Sequence, residues 1–182
     1  MNHSFQESLK MSHDASDLPL WETCYRKAFP TFSEMIDHRK DGWHQRAGID
    51  RSIILECSRQ ILVDEKIRGR NKKTGKVYGD IAVEHWSDYD RKTPGWATKS
   101  IRADYIAYAI APLGRCYMLP VIQLQSAWKK NYREWIVKFE ERFALNRGYR
   151  TAFCPIPVPV LFKAIGQQLR LEFEPVEWNE PA

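Results

Sequence analysis

Two short stretches decide the fold: Gly48-Ile49-Asp50-Arg51 and, about fourteen residues on, Ile61-Leu62-Val63-Asp64-Glu65-Lys66-Ile67. The first places an acid at the mouth of an apolar strand, and the second places an acid-x-lysine triplet inside another. Successive strand side chains point to opposite faces, so Asp64 and Lys66 share a face that Glu65 does not. Aspartate is depleted in strand interiors. One flanked by Ile61, Leu62, Val63 and Ile67 is partly buried, and burial without a partner is costly. A lysine or a metal ion resolves that cost. Two carboxylates and an ammonium on a rigid sheet can hold a divalent cation and position a water for attack on phosphate. The bland alternative is a cross-strand charge cluster on a solvated face, at about 0.2–1 kcal/mol per pair.

Working outward, residues 49–57 and 60–68 read as two strands joined by a tight turn at Ser58-Arg59. Residues 77–86 read as a third strand, and the polar stretch between Arg68 and Lys76 as a loop. Upstream, Trp21, Cys24, Tyr25 and Ala28 recur at helical spacing behind Pro19, and Pro30 interrupts that helix. A second short helix is expected at 33–39, ended by Asp41-Gly42. Downstream, a short helix is expected at 97–103, a strand at 104–110, a turn at Pro112-Leu113-Gly114-Arg115 and a returning strand at 116–119. Leu124, Trp128, Tyr132, Trp135, Phe139 and Phe143 form an apolar stripe that predicts one long core-facing helix from 120 to about 145. A last strand at 151–154, an extended link through Pro155, Pro157 and Pro159, and a helix at 160–169 complete the chain before an acidic tail.

At 182 residues with 43% hydrophobic and 13% aromatic residues, the chain is globular. We expect one α/β (α+β) domain over 17–182, a mixed sheet flanked by helices, behind a mobile tail at 1–16. No apolar run approaches a membrane span, and no secretory segment stands at the N-terminus, so a cytoplasmic protein without a membrane partner is expected. A net charge of +5 permits a nucleic-acid partner without demanding one. Cys24, Cys57, Cys116 and Cys154 form no CxxC pair, and the histidines show no HExxH spacing. No P-loop or serine-hydrolase motif is present.

Further candidates surround the central set. Glu84 joins the same pocket if its strand pairs with the Asp64 strand, and otherwise is a surface acid paired with an arginine. Asp80 reads as the opening of that strand. Glu34 either delivers another carboxylate or is an exposed helix-start acid. Lys66, Arg68, Arg70, Lys72, Lys73 and Lys76 form a basic run without an acid among them. It is a solvated loop or a contact for a phosphate backbone tracking toward the metal. Lys99 can bring a second lysine to the site, and Trp96 reads as core.

With those residues in place, the order of helix, three meander strands, short helix and further strands resembles the PD-(D/E)XK nuclease superfamily. It looks particularly like small members from bacteria and their mobile elements. The resemblance covers roughly 31–120: Gly48 to Asp50, Asp64 to Lys66, Asp80 to Glu84, then Gly95-Trp96 with Asp104-Tyr105-Ile106. Ile49 stands where the family has proline. The resemblance implies a divalent-metal-dependent nuclease, most simply one acting on DNA. Asp50 and Asp64 would bind Mg²⁺ or Mn²⁺, the Glu65 carbonyl would add a ligand, Lys66 would orient the attacking water, and Glu84 would complete the outer coordination. A bulge would instead turn the Glu65 side chain to the metal. Many such nucleases dimerise, so a homo-oligomer is possible. The alternative is a nuclease scaffold that has lost catalysis and binds nucleic acid or another protein.

Overall fold

A computed structural model describes residues 17–71, 74–146 and 148–171. The expected tail at 1–16, the acidic tail from 172, and Lys72 and Lys73 lie outside the described residues. The chain opens with helix α1 (Leu20–Ala28), which Pro19 precedes and Phe29 ends. Strand β1 (Phe32–Asp37), helix α2 (Gly42–Ala47), and strands β2 (Arg51–Leu55) and β3 (Gln60–Arg68) follow. Next come β4 (Asp80–Asp88), β5 (Thr93–Pro94), β6 (Tyr105–Ile110) and β7 (Arg115–Pro120). Helix α3 (Val121–Lys138), hairpin β8 (Arg142–Asn146) and β9 (Tyr149–Pro157), and helix α4 (Val158–Leu169) complete it. The architecture is mixed α+β, as expected, but it holds two sheets rather than one.

The first sheet runs β1-β2-β3-β6-β7. Its first three strands are an antiparallel meander, β6 lies parallel to β3, and β7 returns antiparallel. A parallel neighbour requires a long crossover. Here the crossover is the excursion through β4 and β5, which belong to the second sheet, β5-β4-β9-β8. One face of the first sheet packs Ile53, Ile61, Val63, Ala107 and Ala109 against Trp21 and Tyr25 of α1. The other face packs Ile106, Tyr108, Ile110 and Leu119 with Ile81, Val83, Cys154 and Ile156 of the second sheet and with α3 and α4.

Four expectations are corrected. Residues 33–39 are not helical: Phe32 to Asp37 pair with β2 instead, Met35 opposite Ile53, and the ladder satisfies their backbone groups. Asp41 therefore ends no helix; it caps α2, accepting from Trp43 N at 2.8 Å and His44 N at 3.1 Å. Residues 97–103 form a turn and bend over 97–99 and then irregular chain, held by Gln125 Nε2 to Trp96 O (3.0 Å) and Lys99 O (2.9 Å). Helix α3 stops at Lys138 because Glu140 takes a left-handed φ of 59° and the chain then pairs as β8 with β9. Phe143 of the expected core stripe is consequently exposed; Tyr132, within the helix, is exposed as well, whereas Leu124, Trp128 and Trp135 are buried. Finally, β4 does not extend the meander; its long partner is β9, with Val83 opposite Cys154 and Glu84 opposite Phe153.

Among the described residues no helix is long and apolar enough to cross a membrane.

Candidate functional site

Asp50 is held by the hand-over from α2 to β2. Gly48 ends α2 in the left-handed region at φ 70°, and a β-carbon there would approach Ile101 to 2.8 Å. Only glycine makes that turn without strain. Two residues on, Asp50 N donates to Val63 O at 2.8 Å, tying the strand mouth to β3. Its carboxylate accepts from Glu65 N (2.8 Å) and from Gln45 Nε2 of α2 (3.1 Å). Two acceptor positions of four are then used, and two remain.

The alternation of β3 delivers the rest. Asp64 and Lys66 point to the same side, where the Lys66 ammonium ion-pairs with Asp64 Oδ1 and donates to the Glu65 carbonyl at 3.2 Å. Asp64 is 3% exposed, and its Oδ2 is buried without a hydrogen-bond partner. Asp50 lies near enough for its charge to act on the Asp64 carboxyl. The Glu65 side chain turns to the α1 face, where its Oε1 accepts from Tyr25 Oη and Arg51 Nε, both at 2.7 Å. No bulge interrupts β3 opposite β6, so the alternative in which Glu65 faces the ion is not adopted. Only its carbonyl is available there.

Glu84 reaches the group although its strand does not pair with β3. The second sheet is braced against the first by Tyr108 Oη accepting from Ala82 N at 3.1 Å and by the Arg68–Asp80 ion pair. That brace brings Glu84 within the field of Lys66 and Lys99. Gly95 makes the approach possible: a β-carbon there would sit 2.7 Å from Glu84 O and 2.8 Å from its Cγ. The Trp96 backbone amide works against the rise that burial causes in the Glu84 carboxyl. Trp96 itself is core, as expected.

The charges are unequal in comfort. Burial raises the Asp64 carboxyl to about 6; Lys66 opposes the rise and Asp50 adds to it. Burial also pushes Asp50 up, but the Lys66 charge, the Glu65 amide and the Asp64 and Gln45 contacts outweigh it, leaving Asp50 below the ordinary carboxylate range. Burial raises Glu84 against the pull of Lys66 and Lys99. Burial works against the Lys66 ammonium, but Asp64, Asp50 and Glu84 together hold it above the ordinary lysine range.

Among the described residues no group of three or more His, Cys, Asp or Glu side chains is placed to hold a metal ion. The available oxygen donors are the Asp50 and Asp64 carboxylates and the Glu65 carbonyl. Mg²⁺ is commonly held by one or two carboxylates while keeping several waters, so this set suits a hard cation.

The structure scatters the remaining candidates. Glu34 lies on the exposed edge strand β1, with no contact to the site. Arg68 is committed to Asp80, with its guanidinium 4.4 Å over the Tyr78 ring. Arg70 and Lys76 are exposed on the loop, Lys76 5.5 Å over Tyr78. Lys99 is half-buried beside Glu84. Sequence reasoning missed Gln45, whose role depends on a helix it did not find, and the clearance demanded at Gly95, for which the Gly95-Trp96 pair was the available signal. Comparison with known proteins found no matching family model, no similar curated protein and no matching solved structure.

Proposed function

We propose that this protein hydrolyses phosphodiester bonds in nucleic acid, DNA first, using a divalent cation such as Mg²⁺ or Mn²⁺. The observation that carries the reading is the neighbouring carboxylates of half-buried Asp50 and buried Asp64, with one Asp64 oxygen lacking a hydrogen-bond partner and a lysine beside them. Two anions pressed together out of water are costly unless a cation joins them. The order α1, β1-β2-β3 meander, then β6 parallel to β3 also suits the helix-and-meander resemblance, with the meander one strand earlier than the sequence suggested.

Asp50 and Asp64 would hold the cation, with the Glu65 carbonyl as a third donor. When bound, the cation supplies Lewis-acid neutralisation of the phosphate. Lys66, released from Asp64 Oδ1, orients the attacking water and stabilises charge building on the phosphoryl oxygens. Water adds its oxygen to phosphorus, the bond to the leaving oxygen breaks, and a proton ends on that oxygen. Glu84 and Lys99 shape the outer side, and Arg70 and Lys76 meet the backbone of the strand. A cytoplasmic setting fits four unpaired cysteines.

The second reading, a binding protein that has lost catalysis, is favoured by one observation: Lys66 already neutralises Asp64. The deciding experiment is cleavage of plasmid and linear DNA in Mn²⁺ by the full chain and by Asp64→Ala and Lys66→Ala proteins whose melts stay cooperative. Loss in both supports the enzyme. Undiminished cleavage in both, or cleavage in excess chelator, removes it.

A further inference from the structure

A second cavity, of about 860 Å³, opens between the β4–β5 hairpin and α3, and none of the residues assigned above lines it. One wall is Trp86 and Tyr89, and the other is Trp128 and Tyr132. At its floor His85 Nε2 lies 2.7 Å from Glu141 Oε1, with the His85 ring 5.1 Å from that of Trp128. Lys92 and Lys129 stand exposed at the rim. Neither forms an ion pair with a described residue, whereas the neighbouring acids Asp88 and Asp90 are taken by Arg91 and Arg150.

We infer that this cavity is a nucleobase-binding subsite, which takes an unpaired base of a single-stranded or frayed nucleic acid between its aromatic walls. Resting on the nuclease reading, it names the form of substrate that reaches that site. Every base has a π-face that stacks on aromatic rings, so such a slot accepts bases without needing a sequence. Glu141 and His85 offer an acceptor and a ring nitrogen to the base edge. Lys92 and Lys129 supply rim cations for the flanking phosphates. Lys92 already rests 3.7 Å over the Tyr89 ring and 5.5 Å over that of Trp86, so a base entering there displaces it toward the flanking phosphate. Charge and aromaticity together fit a nucleotide better than an apolar peptide, which has no use for rim lysines outside ion pairs.

Continuity with the carboxylate pair supports the assignment. On β4, Glu84 faces Lys66, and the next residue, His85, faces the cavity. Residues 93–99 form a shared wall, with Lys99 beside Glu84 and Pro94, Ala97 and Thr98 lining the cavity. Gln125 joins that wall to α3 through the Trp96 and Lys99 carbonyls. A strand whose backbone lies at Asp64 therefore has a base pocket around the edge of this segment.

The test is equilibrium binding of fluorescein-labelled ten-nucleotide oligo(dA), oligo(rA) and an abasic deoxy-oligomer of equal length, using the full chain in excess chelator. The base-bearing strands should bind at least ~5-fold tighter than the abasic one, and Tyr132→Ala should weaken them ~5- to 100-fold while leaving the abasic strand unchanged. Equal oligo(dA) and oligo(rA) affinity assigns recognition to base and phosphate; a preference for one names the source. Lys92→Gln, at an exposed position, should weaken all three, and it replaces Tyr132→Ala if that protein melts without cooperativity. Equal binding of abasic and base-bearing strands overturns the subsite, as does unchanged affinity in the variants. Chelator separates the two proposals: metal-dependent cleavage without base-dependent binding leaves the nuclease and removes the pocket, and the reverse result removes the nuclease and keeps the pocket.

Discussion

Replacing Asp64 by asparagine should stabilise the metal-free protein, and the gain should grow with pH. The Asp64 carboxyl is raised from its ordinary 3.8 to about 6 by burial. A raised folded-state value means that the native protein binds the proton more tightly than the unfolded chain. The associated stability is fully present below about pH 4 and is lost as pH rises through 6. At pH 8 the ionised carboxylate costs the native state up to about 3 kcal/mol, at ~1.4 kcal/mol per pH unit. Asparagine keeps the shape of the protonated acid and does not ionise. At pH 8 Asp64→Asn should therefore melt roughly 5–10 °C above wild type, at ~2–4 °C per kcal/mol for a chain of this size. At pH 4 the difference should shrink below ~1 kcal/mol. The assay is thermal and urea unfolding of both proteins in chelator across pH 4–8. A variant less stable than wild type at pH 8, or a difference that does not change with pH, would refute the claim that burial, rather than its lysine partner, governs this carboxylate.

Glu65→Gln should do the opposite of its neighbour's substitution: it leaves Arg51 and Tyr25 without their buried anion and should cost ~3–5 kcal/mol, read by urea unfolding. Mn²⁺ at a hundred times its dissociation constant should add ~2.7 kcal/mol to wild type at pH 8 and nothing to Asp64→Asn, measured by the same melts. Gly95→Ala forces its β-carbon against Glu84 and should cost ~1–3 kcal/mol by unfolding, with a further loss of cleavage that Glu84→Gln reproduces without the loss of stability. Arg70→Gln and Lys76→Gln should each flatten the salt dependence of DNA binding by ~0.9 in logarithmic slope. Arg68→Gln, already bound to Asp80, should instead lower stability.

The face shared by Asp64 and Lys66 was legible because a period of two admits no other arrangement inside a strand, and the same rule sent the Glu65 side chain to α1. Gly48 and Asp50 were legible as a strand mouth. The partner of β4 was not, because nearness in sequence favoured β3, whereas Ile81 and Val83 find their cover against Cys154 and Ile156. Glu84 arrived at the pocket by packing between sheets, which no local pattern encodes. The end of α3 was hidden by Phe139 and Phe143, which continue the helical spacing while Glu140 reverses the chain. Tyr132, read as core from the same stripe, is instead exposed and lines the cavity beside α3.

The division of the carboxylate cluster between two sheets has a consequence during synthesis. The Asp50, Asp64 and Lys66 half can form once β1 to β3 have emerged, but β4 meets β9 only after residue 149 has been made. A nascent chain halted earlier leaves the β4 amides and carbonyls without their ladder, and Glu84 unanchored. If the hydrolytic activity proposed above needs Glu84 in place, ribosome-bound chains and prematurely terminated fragments would lack it, because the far end of the polypeptide joins its parts last.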